Sequence, residues 1–174
     1  MFFSIQELEL RKIRFEKAFD PGQVEFPDEG LRQPVPLEVQ GVAELAGPLQ
    51  EIRVRGSMQG AFATECDRCL EPVTLPVGGP FDLFYRPESQ MPSGEEHGIS
   101  TADTDIGYYE GAGLELADVV REQVLLWLPM QRLCRRDCKG ICPQCGQNRN
   151  VIDCDCQGAR IDERWAALKK LSGE

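Results

Sequence analysis

The chain has 174 residues, of which 41% are hydrophobic and 28% are charged, and its formal net charge is -10 at pH 7. This length suffices for one substantial domain with a small appendage, and the hydrophobic content excludes wholesale disorder. No run approaches the roughly 18 apolar residues of a membrane span. Only Phe2, Phe3 and Ile5 precede the first charges as apolar side chains, too few for a secretory signal. We therefore expect a cytoplasmic protein with reduced thiols and no membrane partner.

Charge is distributed unevenly along the chain. Residues 1–130 contain 10 basic and 23 acidic side chains, whereas residues 131–174 contain nine basic and six acidic ones. An acidic body argues against broad binding to a phosphate backbone, which needs a basic surface. Acidity often serves solubility alone, and it also suits a basic protein partner.

Hydrophobic residues alternate with polar ones in the first half of the chain, which predicts β-strands. The alternating segments are residues 11–19, 37–45 and 49–64. Gly47-Pro48 marks a turn, and residues 71–85 predict a further pair of strands interrupted at Gly78-Gly79-Pro80. The regular turn signals predict an antiparallel meander.

The next region predicts a loop, a short strand and a helix. Residues 87–105 are polar and acidic and contain the sole histidine, His97, so we expect a mobile loop with a solvated imidazole. Residues 106–109 predict a short strand. The segment LELADVVREQVLLWLP has hydrophobic residues at spacings of three and four, which predicts the main helix, and Pro129 ends it.

These elements predict an α+β protein with an antiparallel β-sheet, one main helix and a C-terminal zinc-ribbon-like module. We expect residues 1–130 to form the body. Residues 131–174 would form a cysteine-rich metal-binding module with a terminal helix over Asp162–Leu171, which Asp162 can cap.

Six of the eight cysteines lie between residues 134 and 156. A Cys-x-x-Cys turn followed by a second cysteine pair is typical of a tetrahedral zinc site with four thiolate ligands. Such a site is closed and structural, and we favour zinc over an iron–sulfur cluster. The first-choice ligands are Cys142, Cys145, Cys154 and Cys156, and the alternates are Cys134 and Cys138.

Cys66-Asp67-Arg68-Cys69 is a separate Cys-x-x-Cys motif between segments that read as strands. Three interpretations stay open: a turn with two incidental thiols, half of a metal site completed elsewhere, or a redox pair. Redox motifs of this type place the first cysteine at a helix N-terminus, and the flanking sequence offers no such helix. Arg68 could still lower the pKa of a neighbouring thiol.

Other chemistry is absent from the sequence. No nucleotide-binding or hydrolase motif occurs, and a single histidine excludes many general-base schemes, so we expect no enzymatic activity and no small-molecule substrate. Basic side chains near the cysteines could contact RNA or a carboxylate-bearing partner, or could be solvated charges that balance the thiolates. They are Arg132, Arg135, Arg136, Lys139 and Arg149.

Four stretches in this order resemble the YceD family, the large ribosomal RNA subunit accumulation proteins of bacteria. They are CDRCL (66–70), REQVLLWLPM (121–130), DCKGICPQCGQNRN with the later CDC (137–156), and DERWAALKKL (162–171). The chain is similar to a variant with a cysteine-rich C-terminus. Glu163 departs from the family pattern, where proline is expected between the aspartate and the arginine.

The resemblance implies a non-enzymatic role in ribosome biogenesis that supports the accumulation of large-subunit (23S) ribosomal RNA. The partner would be a ribosomal precursor, contacted through a ribosomal protein or ribosomal RNA. The resemblance also assigns function to Cys66, Arg68, Cys69 and the C-terminal cysteines. Two rival hypotheses are a thiol redox protein that uses Cys66 and Cys69, and an acidic chaperone for a basic ribosomal protein.

Overall fold

A computed structural model of the chain describes residues 1–47, 50–91 and 106–156. Contacts divide the chain into two units. The sheet unit comprises Met1–Thr64 and Thr74–Met130, and the cysteine unit comprises Glu65–Val73 and Gln131–Glu174. The elements in chain order are β1 (Phe2–Ser4), α1 (Ile5–Leu10), β2 (Ile13–Phe19), β3 (Leu37–Ala46), β4 (Glu51–Glu65), β5 (Pro72–Pro87), a 3-10 turn (Glu88–Gln90), β6 (Ile106–Tyr109), β7 (Gly113–Glu115) and α2 (Leu116–Trp127).

The predicted α+β class with a mostly antiparallel sheet is confirmed. The main sheet of the described residues has the order β2-β3-β4-β5-β6. Strands β2 and β3, and β3 and β4, pair antiparallel, whereas β6 adds to β5 in parallel. In β2, Ile13 and Phe15 are buried while Arg14 and Glu16 are exposed, so the alternation in the sequence corresponds to one packed face and one solvated face.

The predicted interruption at Gly78-Gly79-Pro80 is wrong, because β5 continues from Pro72 to Pro87. A Cβ atom at Gly78 would lie only 2.8 Å from the carbonyl oxygen of Met58 on β4. The absence of a side chain at Gly78 therefore permits the backbones of β4 and β5 to approach closely. Glycine in a strand can mark such a close approach as well as a bend.

Helix α2 agrees with the predicted main helix and packs one side into the core. Its buried residues are Leu116, Val119, Val120, Gln123 and Val124. The helix ends two residues before Pro129, which lacks the N–H group that would continue it. Elements β1 and α1 were not predicted, since a six-residue helix is too short to show a clear period; the Ser4 hydroxyl caps it by accepting from the Glu7 N–H at 3.2 Å.

Part of the predicted organisation falls outside the described residues. This applies to residues 92–105 of the predicted acidic loop, including His97, and to the predicted helix Asp162–Leu171. The division of the chain at residue 130 stays a prediction, and the structure groups Glu65–Val73 with the chain after Gln131. Among the described helices, none is long and apolar enough to cross a membrane.

Candidate metal centres

The eight cysteines form two groups of four within the cysteine unit. The first tetrad is Cys66, Cys69, Cys134 and Cys138, and the second tetrad is Cys142, Cys145, Cys154 and Cys156. Within each tetrad the four Sγ atoms lie within 4.8 Å of one another, and all eight thiols are free. Four thiols converging on one point are the ligand set of a closed zinc site, so each tetrad could bind a metal ion.

Distances in the first tetrad suit a tetrahedral metal ion. The Sγ atoms of Cys66 and Cys138 are 3.9 Å apart, and those of Cys69 and Cys134 are 3.6 Å apart. A tetrahedral site with Zn–S bonds of about 2.3 Å separates its sulfur atoms by about 3.8 Å. A disulfide needs about 2.05 Å. The sulfur separations therefore suit a metal ion, and no disulfide joins these thiols.

A tight turn in the chain between β4 and β5 presents Cys66 and Cys69. The Cys66 N–H donates to the Glu71 carbonyl at 2.8 Å, and the Leu70 N–H donates to the Cys66 carbonyl at 2.9 Å. Leu70 has a φ of 62°, in the left-handed region that side chains other than glycine and asparagine rarely adopt. The strain at this position indicates that the surrounding structure determines the turn.

The second tetrad contains the same turn. The Cys142 N–H donates to the Gln147 carbonyl at 2.8 Å, and the Gly146 N–H donates to the Cys142 carbonyl at 2.9 Å. Gly146 has a φ of 72° at the position that corresponds to Leu70. The two Cys-x-x-Cys turns are thus a repeat in backbone geometry, although their sequences share only the cysteines.

Backbone N–H groups stabilise a thiolate at the first cysteine of each turn. Burial acts to raise the pKa of Cys66, but N–H groups of Cys134, Arg68 and Cys69 outweigh it and lower this pKa to about 6. The Cys134 N–H lies 3.3 Å from the Cys66 sulfur. In contrast, burial and the adjoining sulfurs raise the pKa of Cys134 to about 12. Neighbouring thiolates repel one another, and a cation at the centre of the tetrad would offset this repulsion.

The second tetrad shows the same electrostatic pattern. Backbone N–H groups of Cys145 and Gln144 lower the pKa of Cys142 to about 6. The neighbouring Cys145 thiol is the main cause that raises the pKa of Cys156 to about 12. Each tetrad therefore contains a first cysteine whose thiolate is stabilised and a thiol, Cys134 or Cys156, whose proton a metal ion must displace.

The structure places the other predicted site residues as follows. Cys134 and Cys138, which were considered as alternates for the second tetrad, lie in the first tetrad with Cys66 and Cys69. The Arg68 guanidinium donates to the Cys138 carbonyl at 3.1 Å, so it supports the fold of the tetrad.

The predicted basic residues are partly engaged within the cysteine unit. Arg135 lies 3.5 Å from Asp137, and Lys139 lies 3.3 Å from Asp153. At Arg132 it is the backbone N–H that donates to the Asp67 carboxylate, at 2.6 Å. Arg136 and Arg149 are exposed. Contact between any of these residues and RNA or a protein stays a prediction.

Sequence reasoning missed Asn150, whose side-chain Nδ2 donates to the Cys138 sulfur at 3.3 Å. A polar residue in a loop carries no signal that it contacts a sulfur 12 positions away. The eight cysteines did carry a signal for the first tetrad, because two Cys-x-x-Cys turns and two further pairs suffice for two four-ligand sites.

The two tetrads differ in exposure, which predicts a difference in reactivity. Three cysteines of the first tetrad, Cys66, Cys69 and Cys138, are buried. In the second tetrad, Cys145 and Cys156 are exposed. Mild treatment of metal-loaded protein with iodoacetamide is expected to label Cys145 and Cys156 before Cys66 and Cys138, as followed by peptide mass spectrometry. Denatured protein, in which all eight thiols are accessible, is the control. Equal or earlier labelling of Cys66 and Cys138 would contradict the prediction.

Fold and site together define a protein with a mostly antiparallel sheet unit and a cysteine unit that carries two candidate metal centres. The chain belongs to the YceD family, described as large ribosomal RNA subunit accumulation protein YceD, which matches residues 54–172. This range includes all eight cysteines.

Similar proteins occur in bacteria. An uncharacterized protein of Mycobacterium tuberculosis is 30% identical over 147 residues, which cover 84% of this chain and 65% of the relative. This chain thus spans less than two thirds of that relative's length. The uncharacterized protein YlbN of Bacillus subtilis is 24% identical over 170 residues, covering 97% of this chain and 93% of the relative. No solved structure matches the chain.

Proposed function

We propose that this protein is a cytoplasmic, non-enzymatic factor of bacterial ribosome biogenesis that supports the accumulation or processing of 23S ribosomal RNA. The observation that carries the proposal is the family match over residues 54–172, whose description names large ribosomal RNA subunit accumulation. The cysteine chemistry is consistent with it, because closed four-thiolate sites serve structure and recognition and leave no ligand position open for a substrate.

Zinc is the metal that fits both tetrads best. Four thiolates at tetrahedral spacing suit zinc, and an iron–sulfur cluster, which also takes four thiolates, is the alternative. The four cysteines of each tetrad would bind one ion. A zinc ion in each tetrad would fix the positions of the chain segments that carry its cysteines and would thereby stabilise the small cysteine unit.

Net charge favours a basic protein as the direct partner over the RNA backbone. Each zinc ion with four thiolates adds two negative charges, so loading both centres takes the formal net charge from -10 to about -14. Arg135 and Lys139 are in addition close to carboxylates of their own unit. We therefore place the contact with the ribosomal precursor on a basic ribosomal protein, and a chaperone role toward such a protein is the second candidate function.

A redox role for Cys66 and Cys69 is disfavoured by the grouping of the thiols. Cys66 contacts Cys138, and Cys69 contacts Cys134, so both belong to a set of four. Two-electron disulfide chemistry needs two thiols that can approach to about 2.05 Å, and a bound zinc ion would prevent this.

Depletion of the protein in the bacterium that encodes it tests the proposed function. The ratio of 23S to 16S ribosomal RNA is expected to fall, and wild-type protein supplied in trans should restore it. A Cys66→Ser/Cys138→Ser variant should fail to do so, whereas Glu16→Gln, an exposed change on β2, should succeed. Unchanged precursor and mature 23S RNA on depletion would refute the proposal.

A further inference from the structure

Asn150 connects the two tetrads physically. It lies in the loop 147–153 that joins the two cysteine pairs of the second tetrad, yet its side chain contacts the first. Its Nδ2 donates to the Sγ atom of Cys138 at 3.3 Å. The loop of one candidate metal centre thus supplies a hydrogen-bond donor to a ligand sulfur of the other.

The orientation of the Asn150 amide follows from its partners. Its Oδ1 accepts from the backbone N–H of Lys139 and from the guanidinium of Arg135, each at 2.8 Å. Because a backbone N–H can only donate, the oxygen must face Lys139 and the NH2 group must face Cys138. The second hydrogen of Nδ2 goes to Asn148 Oδ1 at 2.9 Å, so all four hydrogen-bonding positions of the amide are used.

The loop that carries Asn150 is itself held by Asn148. The side-chain Oδ1 of Asn148 accepts from the Asn150 backbone N–H at 2.9 Å. The backbone carbonyl of Asn148 accepts from the N–H groups of Val151 and Ile152, each at 3.1 Å. Asn148 Nδ2 donates to the Glu71 carboxylate at 3.2 Å, next to the first Cys-x-x-Cys turn. The position of the Asn150 amide therefore depends on the fold of the loop between Cys145 and Cys154.

We propose that Asn150 is a positioning residue for a metal ion in the first tetrad, and that it links the occupancy of the two tetrads. The inference rests on the proposed function only in requiring that both tetrads bind metal. Hydrogen bonds to ligand atoms hold them in place and tune their basicity, and their loss typically weakens metal binding about 10–100-fold. Metal in the second tetrad orders the loop and thereby the Asn150 amide, and linkage makes the effect reciprocal.

Two substitutions test donation to the sulfur, and the Co²⁺ spectrum distinguishes it from a merely structural role. Asn150→Asp keeps the shape and the acceptor oxygen for Lys139 and Arg135, but it places a carboxylate oxygen against both the Cys138 sulfur and Asn148 Oδ1. Asn150→Ala removes every side-chain contact. We expect both variants to lose about 10–100-fold in Zn²⁺ affinity at the first tetrad, with Asn150→Asp affected at least as strongly.

Zn²⁺ competition with a chromogenic chelator and the absorption of Co²⁺-loaded full-length protein measure these effects. The sulfur-to-Co²⁺ charge-transfer band of the first tetrad should move to lower energy in both variants, because the hydrogen bond that stabilises the sulfur electrons is lost. The matched control is Val151→Ala, whose side chain is 76% exposed, and it should behave as wild type. Wild-type affinity and spectrum in Asn150→Asp would overturn the positioning role.

A double-mutant cycle tests the link between the tetrads. Cys145→Ser/Cys156→Ser abolishes the second centre and is expected to weaken Zn²⁺ binding at the first by about 10-fold. Adding Asn150→Asp should then cost clearly less than it does in the wild-type background. Full additivity, or an unaffected first centre, would overturn the link. Wild-type protein without metal would instead refute the zinc proposal, whereas two bound zinc ions with unlinked sites would refute this inference alone.

Discussion

Replacement of Cys66 and Cys138 by serine is expected to remove one metal ion per chain and to unfold much of the cysteine unit. Its described core is small: the buried cluster consists of Cys66, Cys69 and Cys138, with Leu133 packed against it. So little apolar surface cannot offset the entropy of ordering the chain. Structural zinc supplies on the order of 10 kcal/mol to small modules, so a metal ion in the first tetrad would add more stability than this described cluster does.

Elemental analysis and hydrogen exchange measure this effect. Wild-type protein should contain two zinc ions per chain, and the double variant at most one, with faster amide exchange over residues 131–156. Amides of β3 and β4 in the same sample report whether the sheet unit stays folded. The matched control is Cys145→Ser/Cys156→Ser, which should lose the metal of the second tetrad. Two zinc ions and unchanged exchange in Cys66→Ser/Cys138→Ser would contradict the assignment of the first tetrad.

Metal affinity of the first tetrad is expected to fall steeply as the pH is lowered. The pKa values of Cys69 and Cys134 are raised above their ordinary value, so both thiols are protonated at pH 7 and a metal ion must displace their protons. Below the Cys66 pKa of about 6, a third proton must leave. With at least two protons displaced per ion, the affinity should decrease by at least about 10⁴-fold from pH 7 to pH 5.

Proton release during Zn²⁺ titration in weakly buffered solution gives the stoichiometry directly. A pH indicator should report two or more protons per ion at pH 7 for the first tetrad, and the number should rise toward pH 5. Cys145→Ser/Cys156→Ser, which lacks the second centre, isolates the contribution of the first tetrad. Fewer than one proton per ion, or an affinity independent of pH in this range, would show that the thiols are not the ligands.

Local patterns allowed most of the sheet unit to be predicted. Strand β2 and the first four residues of β3 alternate buried and exposed side chains along the sequence, and helix α2 repeats its buried residues at helical spacing. The uninterrupted β5 was not predictable in the same way. A glycine such as Gly78 can signal either a turn or a close approach, and only the position of Met58 on the neighbouring strand decides between these uses.

The sequence by itself favoured the four cysteines of the second tetrad over the alternates Cys134 and Cys138, because the four lie within 15 consecutive residues and short turns suffice to bring them together. Only the tertiary structure decided that Cys66 and Cys69 meet Cys134 and Cys138. The sequence separation of 65 residues between Cys69 and Cys134 leaves many partners open until the path of the chain is known. Tertiary structure also placed Leu70 in a left-handed conformation and brought the Asn150 amide to the Cys138 sulfur, since neither depends on a local pattern.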